Sequence, residues 1–248
     1  MIVPAAGLGS RLGATTPKIL VPVAGRPMID HLLSLYAGAV NHFVVVVSPA
    51  GRDPVEAFVR QRSESVSVAV QPHPTGMLDA ILAPFDEVWR YQPDRVWVTW
   101  CDQLAVHPQT VARLLEAETA EQPADMVLPT VVTPSPSIHF ERSADGRIVG
   151  VRQLREGDDM PAAGETDIGL YSLSRRAYLR DLKSYADAPG HEASSRERNF
   201  LPFIPWLASG RPVVTFPCVH ADEAAGVSTE EDLRRLEAHL RDADRDNG

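Results

Sequence analysis

Five consecutive apolar residues, Phe43-Val44-Val45-Val46-Val47, limit most strongly what this chain can become. A strand with one wet face alternates apolar and polar side chains, whereas an unbroken β-branched run suits a parallel sheet covered on both faces. The surrounding segments supply the helices such a sheet needs. Ile29, Leu32, Leu33 and Tyr36 recur at helical spacing behind Pro27, and Asp53-Pro54 reads as the N-cap and first residue of a helix to about Arg62. Strands follow at Val66 to Val70, ending at Gln71, and at Val96 to Cys101, ending in Asp102. A helix from about Leu78 to Phe85 separates them. His107-Pro108 opens another helix through Glu118, and Asp125 to Val132 is the fifth strand, counting Ile2-Val3 as the first.

Beyond Val132 the pattern changes. Ser137 to Arg142 and Arg147 to Val151 flank an Asp145-Gly146 turn and predict an antiparallel hairpin, with Thr166 to Leu173 as a return strand. Glu156 to Glu165 and Ala186 to Ser195 read as loops. Helices near Ser174 to Leu182 and Asn199 to Ala208, a strand Val213 to Phe216 and a last helix opened by Thr229 complete the chain, with Leu233, Leu236 and Leu240 on the last helix's apolar stripe. The expected fold is α/β, built around a mixed, mostly parallel sheet with an antiparallel hairpin extension. At 248 residues one domain is the expectation, with 1–132 forming one half and 133–248 the other.

The first strand runs into Gly7-Leu8-Gly9-Ser10-Arg11-Leu12-Gly13, which closes on Pro17-Lys18. Glycines here let the backbone approach a ligand closely, so that successive N–H groups converge on an anion. Up to Pro27 the segment carries three cations, Arg11, Lys18 and Arg26, and no carboxylate, although the whole chain has a net charge of -9. A cationic pocket in an acidic protein points to a small polyanion and away from a nucleic-acid surface. Two well-known phosphate loops do not fit. A dinucleotide fingerprint needs a glycine where Leu12 stands, and a P-loop needs Gly-Lys-Ser/Thr where Gly13 precedes Ala14.

The segment Ala5-Ala6-Gly7-Leu8-Gly9-Ser10-Arg11-Leu12 with Pro17-Lys18 resembles the signature of the sugar-1-phosphate nucleotidyltransferase superfamily, in particular the pyrophosphorylase domain of bifunctional UDP-N-acetylglucosamine pyrophosphorylases. No hexapeptide series for an appended β-helix is present. The resemblance implies a Rossmann-like three-layer nucleotidyltransferase fold and transfer of a nucleotidyl group from a nucleoside triphosphate to a sugar 1-phosphate, with Mg²⁺. It implies Arg11 and Lys18 on the triphosphate, together with Ala5, Ala6 and the Gly7 to Ser10 backbone, including Leu8 and Gly9. Asp102, in Trp100-Cys101-Asp102, falls at the family's metal carboxylate, and Ser228 takes the place of the usual second ligand, Asn or Asp. A hydroxyl is a weaker ligand for a hard cation, so water, Asp222 or Glu223 could complete the set; the two acids read otherwise as a solvated acidic turn. Gln71 and Gly76 match the base-reading segment, with Met77 and Pro74 departing from it. Glu165, Asp167 and Gly169 match the acceptor-holding strand, with Asp167 in place of Asn, and Gln153 falls where a sugar-contacting Glu often sits.

Neighbouring chemistries remain open at this level. The same superfamily includes cytidylyl or guanylyl transfer to a phosphocholine-like, phosphonate or molybdopterin acceptor. A related glycosyltransferase would carry Asp-x-Asp where Asp102-Gln103-Leu104 stands, and a nucleotide-sensing protein without turnover is a third reading. The two cysteines, Cys101 and Cys218, are too few for a disulfide framework and read as buried free thiols. His73, His107, His139, His191 and His220 show no metal-ligand spacing. No apolar run reaches the ~20 residues of a membrane span. With no signal-peptide pattern at the start, a cytoplasmic enzyme without nucleic-acid or membrane partners is expected.

Overall fold

The computed structural model describes residues 1–7, 16–120, 123–188, 197–226, 229 and 231–237. Its frame is an eight-stranded sheet. Strands β1 (Ile2–Pro4), β4 (Phe43–Val47), β5 (Val66–Val70) and β6 (Arg95–Thr99) lie parallel in the order β5-β4-β1-β6. All five residues of β4 are buried, as an apolar run between two helical layers requires. Its alternate side chains serve both layers. Val45 and Val47 pack with Ile29, Leu32 and Tyr36 of α1 (Met28–Tyr36) and with Val111 and Leu114 of α5 (Pro108–Glu118). Val46 faces the other way, toward Leu78 and Ile81 of α3 (Met77–Leu82) and Ile204 and Leu207 of α7 (Phe203–Ala208).

The half of the chain from residue 133 onward enters the centre of this sheet instead of extending its edge. The predicted return strand is broken: β10 (Ala163–Asp167) pairs antiparallel with the far part of β7 (Met126–Pro134), while β11 (Leu170–Ser174) slots antiparallel between β6 and β7. Gly169, at φ 71°, makes the break. A Cβ there would lie 2.5 Å from Trp100 Cδ1, so only glycine allows both the backbone turn and the indole packing. On the other side of β7, β12 (Val213–Pro217) pairs parallel.

Several boundaries differ from expectation for local reasons. Pro27 lies before α1, in a two-residue strand β3 (Arg26–Pro27) paired with β2 (Pro22–Val23). Ser48 caps a 3₁₀ turn Pro49–Gly51 through Gly51 N–H, so α2 (Arg52–Val59) starts one residue before Asp53 and needs no cap from it. A separate helix α4 (Phe85–Tyr91) follows α3. The hairpin β8 (Ile138–Arg142) and β9 (Ile148–Gln153) forms as predicted, but as its own two-stranded sheet with a bulge at Glu141/Arg142, not as an extension of the main one. Ala177–Leu182 is π-helical and continues into α6 (Lys183–Asp187). Residues 231–237 are helical, with Leu236 buried; Leu240 lies outside the described residues. Cys101 is buried and Cys218 only half-buried, both free. Among the described residues no helix is long and apolar enough to cross a membrane.

Candidate active site

Ligands of open α/β sheets bind beyond the carboxyl ends of the strands. Here β1 delivers Ala5, whose N–H bonds to Val46 O at 2.7 Å, and the chain then passes Ala6 and reaches Gly7. Leu8, Gly9, Ser10 and Arg11 lie outside the described residues, as does Ser228. The chain returns at Thr16, and Lys18 N–H closes the loop on Gly7 O at 3.4 Å. Ile19, fully buried, anchors the 3₁₀ turn Lys18–Leu20 in the core. That anchor aims Lys18 across the strand ends. Its ammonium meets Asp102 Oδ2 in a close ion pair, each side chain 17% exposed.

Asp102 stands on a turn beyond β6, where Trp100 N–H bonds to Gly169 O at 3.2 Å and Gln103 N–H to Trp100 O at 3.1 Å. The C-terminal segment comes back to the same point. A Cβ on Gly226 would lie 3.7 Å from Asp102 Oδ2. Glu223 secures that return. It is 1% exposed and accepts from His107 N–H at 2.9 Å, Thr110 Oγ1 at 3.0 Å and His220 N–H at 2.7 Å, while its own carbonyl accepts from Gln103 Nε2 at 2.7 Å. Glu223 is therefore neither a solvated turn residue nor a carboxylate available to a metal: its oxygens serve the start of α5. Among the described residues no three His, Cys, Asp or Glu side chains converge to hold a metal. Burial pushes the Cys101 thiol up to about 12 and the Cys218 thiol up to about 11, which removes both as thiolate nucleophiles at neutral pH.

Gln71 ends β5 with its N–H on Val47 O at 2.8 Å, and its amide folds over the following loop to donate to Gly76 O at 3.0 Å. Gly76 has φ 122°, and its Cβ position is taken by the Arg198 backbone, with the carbonyl oxygen at 2.4 Å. The acceptor-side residues are held as follows. Asp167 is 6% exposed; its Oδ2 accepts from Gly169 N–H at 2.9 Å and from the Tyr171 hydroxyl. Burial pushes the Asp167 carboxyl above its usual range, more than those bonds lower it. Burial also acts upward on Glu165, but both its oxygens take Arg142 at 2.6 Å, and the guanidinium together with Thr130 holds the carboxyl below the usual range. Glu165 thus ties the hairpin to β10. Gln153 ends β9, 9% exposed, with its carbonyl oxygen bonded to Asn199.

The structure thus brings Gly7, Lys18 and Asp102 together at one end of the sheet, with Gln71 and Gly76 beyond the end of β5, on the far side of β4 from β1. Sequence reasoning passes over Arg198, Asn199 and Phe200, which join these walls. Their only sequence signal is position: they precede an apolar helix and read as its start.

A family model for the MobA-like NTP transferase domain matches residues 1–241. The chain belongs to that family. Relatives agree with it. The bifunctional protein GlmU of a Thermus thermophilus strain is 30% identical over 247 residues, covering 96% of this chain and 51% of its own length. GlmU of Parvibaculum lavamentivorans is 25% identical over 240 residues, covering 96% of this chain and 52% of its own. This NTP transferase domain accordingly spans about half the length of those curated relatives. Its backbone also superposes on a Bacillus anthracis chain assigned as a glucose-1-phosphate thymidylyltransferase and solved with sucrose, at a TM-score of 0.74, 20% identity, and coverage of 97% and 94%. That likeness bears on the fold alone.

Proposed function

We propose that this domain transfers a nucleoside monophosphate from a nucleoside triphosphate to a sugar 1-phosphate and releases pyrophosphate. The observation that carries the reading is the Lys18–Asp102 pair beside Gly7: a cation and a carboxylate share one spot at the strand ends. Residues 1–132 bind the nucleotide and 133–248 the acceptor, within one working unit. The attacking oxygen of the acceptor phosphate is already anionic, so no general base is needed. A bond forms from it to the α-phosphorus, the bond to the bridging oxygen breaks, and the electron pair leaves with pyrophosphate. What the protein must supply is positioning and charge. Lys18 leaves Asp102 for the phosphates, Arg11 joins it there, and Ala5, Ala6 and the Gly7 to Ser10 amides cradle the triphosphate. Gln71 and Gly76 hold the base, and Gln153, Asp167 and Gly169 the acceptor, with Glu165 fixing the hairpin beside them.

Asp102 suits a divalent cation, because its carboxylate already takes an ammonium in this structure. Magnesium, held by Asp102 and by Ser228 directly or through water, supplies neutralisation of phosphate charge. The test is pyrophosphate release from each of four NTPs with glucose 1-phosphate, N-acetylglucosamine 1-phosphate or phosphocholine, with and without Mg²⁺. Release with a sugar phosphate supports the reading. Release with phosphocholine alone moves the acceptor out of the sugar class, and none with any pair refutes it.

A further inference from the structure

The end of the sheet opposite the Lys18–Asp102 pair holds a cavity of about 500 Å³, within the size range of small-molecule sites. It opens where β6 begins, at Arg95, beside Asp125 just before β7 and Ser174 at the end of β11. Trp89 of α4 and the turn that becomes π-helical at Ala177 complete its lining. Four arginines and two aspartates line it, in a chain of net charge -9.

Two of those arginines are committed to the protein. Arg95 donates to Ser172 Oγ at 2.7 Å, to Ala124 O at 3.0 Å and to Ser172 O at 3.2 Å, and meets Glu118 at 3.1 Å. Arg175 donates to Pro93 O at 2.8 Å and to Asp94 Oδ1 at 2.7 Å. The other two, Arg176 and Arg180, make no side-chain hydrogen bond among the described residues. Arg176 comes no nearer a carboxylate than 3.7 Å, to Asp181 Oδ2, and that oxygen is shared with Arg211 at 3.8 Å. Both side chains are exposed, and four residues apart they lie on one face of the turn, where like charges repel. An anion between them would relieve that repulsion.

An aromatic surface stands in the same cavity. Trp89 is 53% exposed, and Phe85 stacks against it with centroids 6.3 Å apart. An exposed indole backed by a second ring is a platform on which a planar base stacks whatever its identity. A ring platform and a cation pair in one cavity match the two ends of a nucleotide.

We propose that this cavity is a second binding site, for a nucleoside phosphate, with Trp89 against the base and Arg176 and Arg180 on the phosphates. It shares no residue with the transferase site proposed above and stands whether or not that reading holds. A free nucleotide and the nucleotide part of an NDP-sugar offer the same chemistry, so the experiment separates them.

The test is photo-labelling of the full chain with azido-adenosine and azido-uridine triphosphate, with labelled peptides mapped by mass spectrometry. It compares wild type, Arg180→Gln, Trp89→Ser and Trp89→Phe. Label is expected on Phe85–Tyr91 or on residues 175–180. Arg180→Gln and Trp89→Ser should each cut it about tenfold, Trp89→Phe less than about threefold, and added salt should weaken it in wild type. Displacement by unlabelled ATP or UTP or by UDP-glucose supports the site, and the stronger competitor identifies the source. Label confined to peptides carrying Gly7, Gln71 or Asp102, or no label at all, overturns the proposal. The same follows if Arg180→Gln and Trp89→Ser both label within about twofold of wild type. Displacement by inorganic triphosphate as strong as by ATP also overturns it, since the site would then take bare anions. The wild-type map decides the location whatever the stability of the variants.

Discussion

The ammonium of Lys18 is hydrogen-bonded to the carboxylate of Asp102, 84 residues away along the chain. The two charges neutralise each other in a part-buried setting where an isolated charge would be poorly placed.

Loss of either partner removes charge from the reacting centre. Lys18→Ala and Asp102→Ala should each lower kcat by ~10²-fold or more, the scale of losing one electrostatic stabiliser. Pyrophosphate release under saturating NTP and acceptor reads this directly. Near-normal rates in both would remove the two residues from the chemistry.

The same contact predicts competition between the ammonium and a divalent cation. In the absence of nucleotide, Lys18→Met should bind Mn²⁺ more tightly than wild type by about tenfold, since one opposing charge near the surface amounts to roughly 1 kcal/mol or more. Asp102→Asn should bind it less tightly. Electron paramagnetic resonance of free Mn²⁺ during titration measures both, and equal affinity in all three proteins would contradict the exchange.

Asp167 gives a pH signature. Its carboxyl is raised by burial in the folded chain. A group that holds its proton more tightly folded than unfolded contributes most below its unfolded pKa of about 4 and loses that contribution as pH rises through the folded value. Asp167→Asn should therefore raise Tm at pH 8, by about 3 °C for each kcal/mol relieved in a chain of this length. The gain should fade toward pH 4. A destabilised variant at pH 8 would show that the carboxylate's bonds to Gly169 and Tyr171 outweigh its burial.

Two glycines should tolerate no side chain. Gly76→Ala would set a Cβ 2.4 Å from a backbone oxygen at φ 122°, and Gly169→Ala one 2.5 Å from an indole carbon at φ 71°. Each should cost about 2 kcal/mol or more in urea unfolding. Gly76→Ala is expected to be the worse, because backbone cannot move aside as a ring can.

Glu223→Gln turns an amide NH₂ toward groups that only donate, the backbone N–H of His107 or His220 and the Thr110 hydroxyl in its present role. A loss of roughly 2 kcal/mol or more should follow in urea unfolding. Activity should fall more steeply than stability at low Mg²⁺, since the Gly226 segment beside Asp102 depends on this carboxylate.

The parts of the molecule that are legible in the sequence are those whose cause is local. Phe43 to Val47 announces a doubly covered strand, Asp145-Gly146 announces a hairpin, and Ala5-Ala6-Gly7 through Pro17-Lys18 announces the family. The insertion of β11 between β6 and β7 is not legible, because strand order depends on pairing partners far apart and leaves no mark on local pattern. The break at Gly169 becomes visible only with Trp100 beside it. Glu223 misleads because an Ala-Asp-Glu-Ala turn has the composition of a solvated surface, and the donors that bury it come from Thr110 and His107 as well as from its own turn. Asn199 escapes notice for a similar reason: its partner Gln153 is 46 residues away.

The position of β11 also constrains how this chain can be divided. A fragment stopped at residue 132 would leave β6 with one bare flank, its row of amides and carbonyls from Arg95 to Thr99 awaiting the partner supplied by Leu170–Ser174. Residues 1–132 and 133–248 are therefore not modules that evolution or an engineer can exchange at their border, for the second half contributes an interior stave to the first. Synthesis meets the same constraint, since the central sheet stays open until that late strand has left the ribosome.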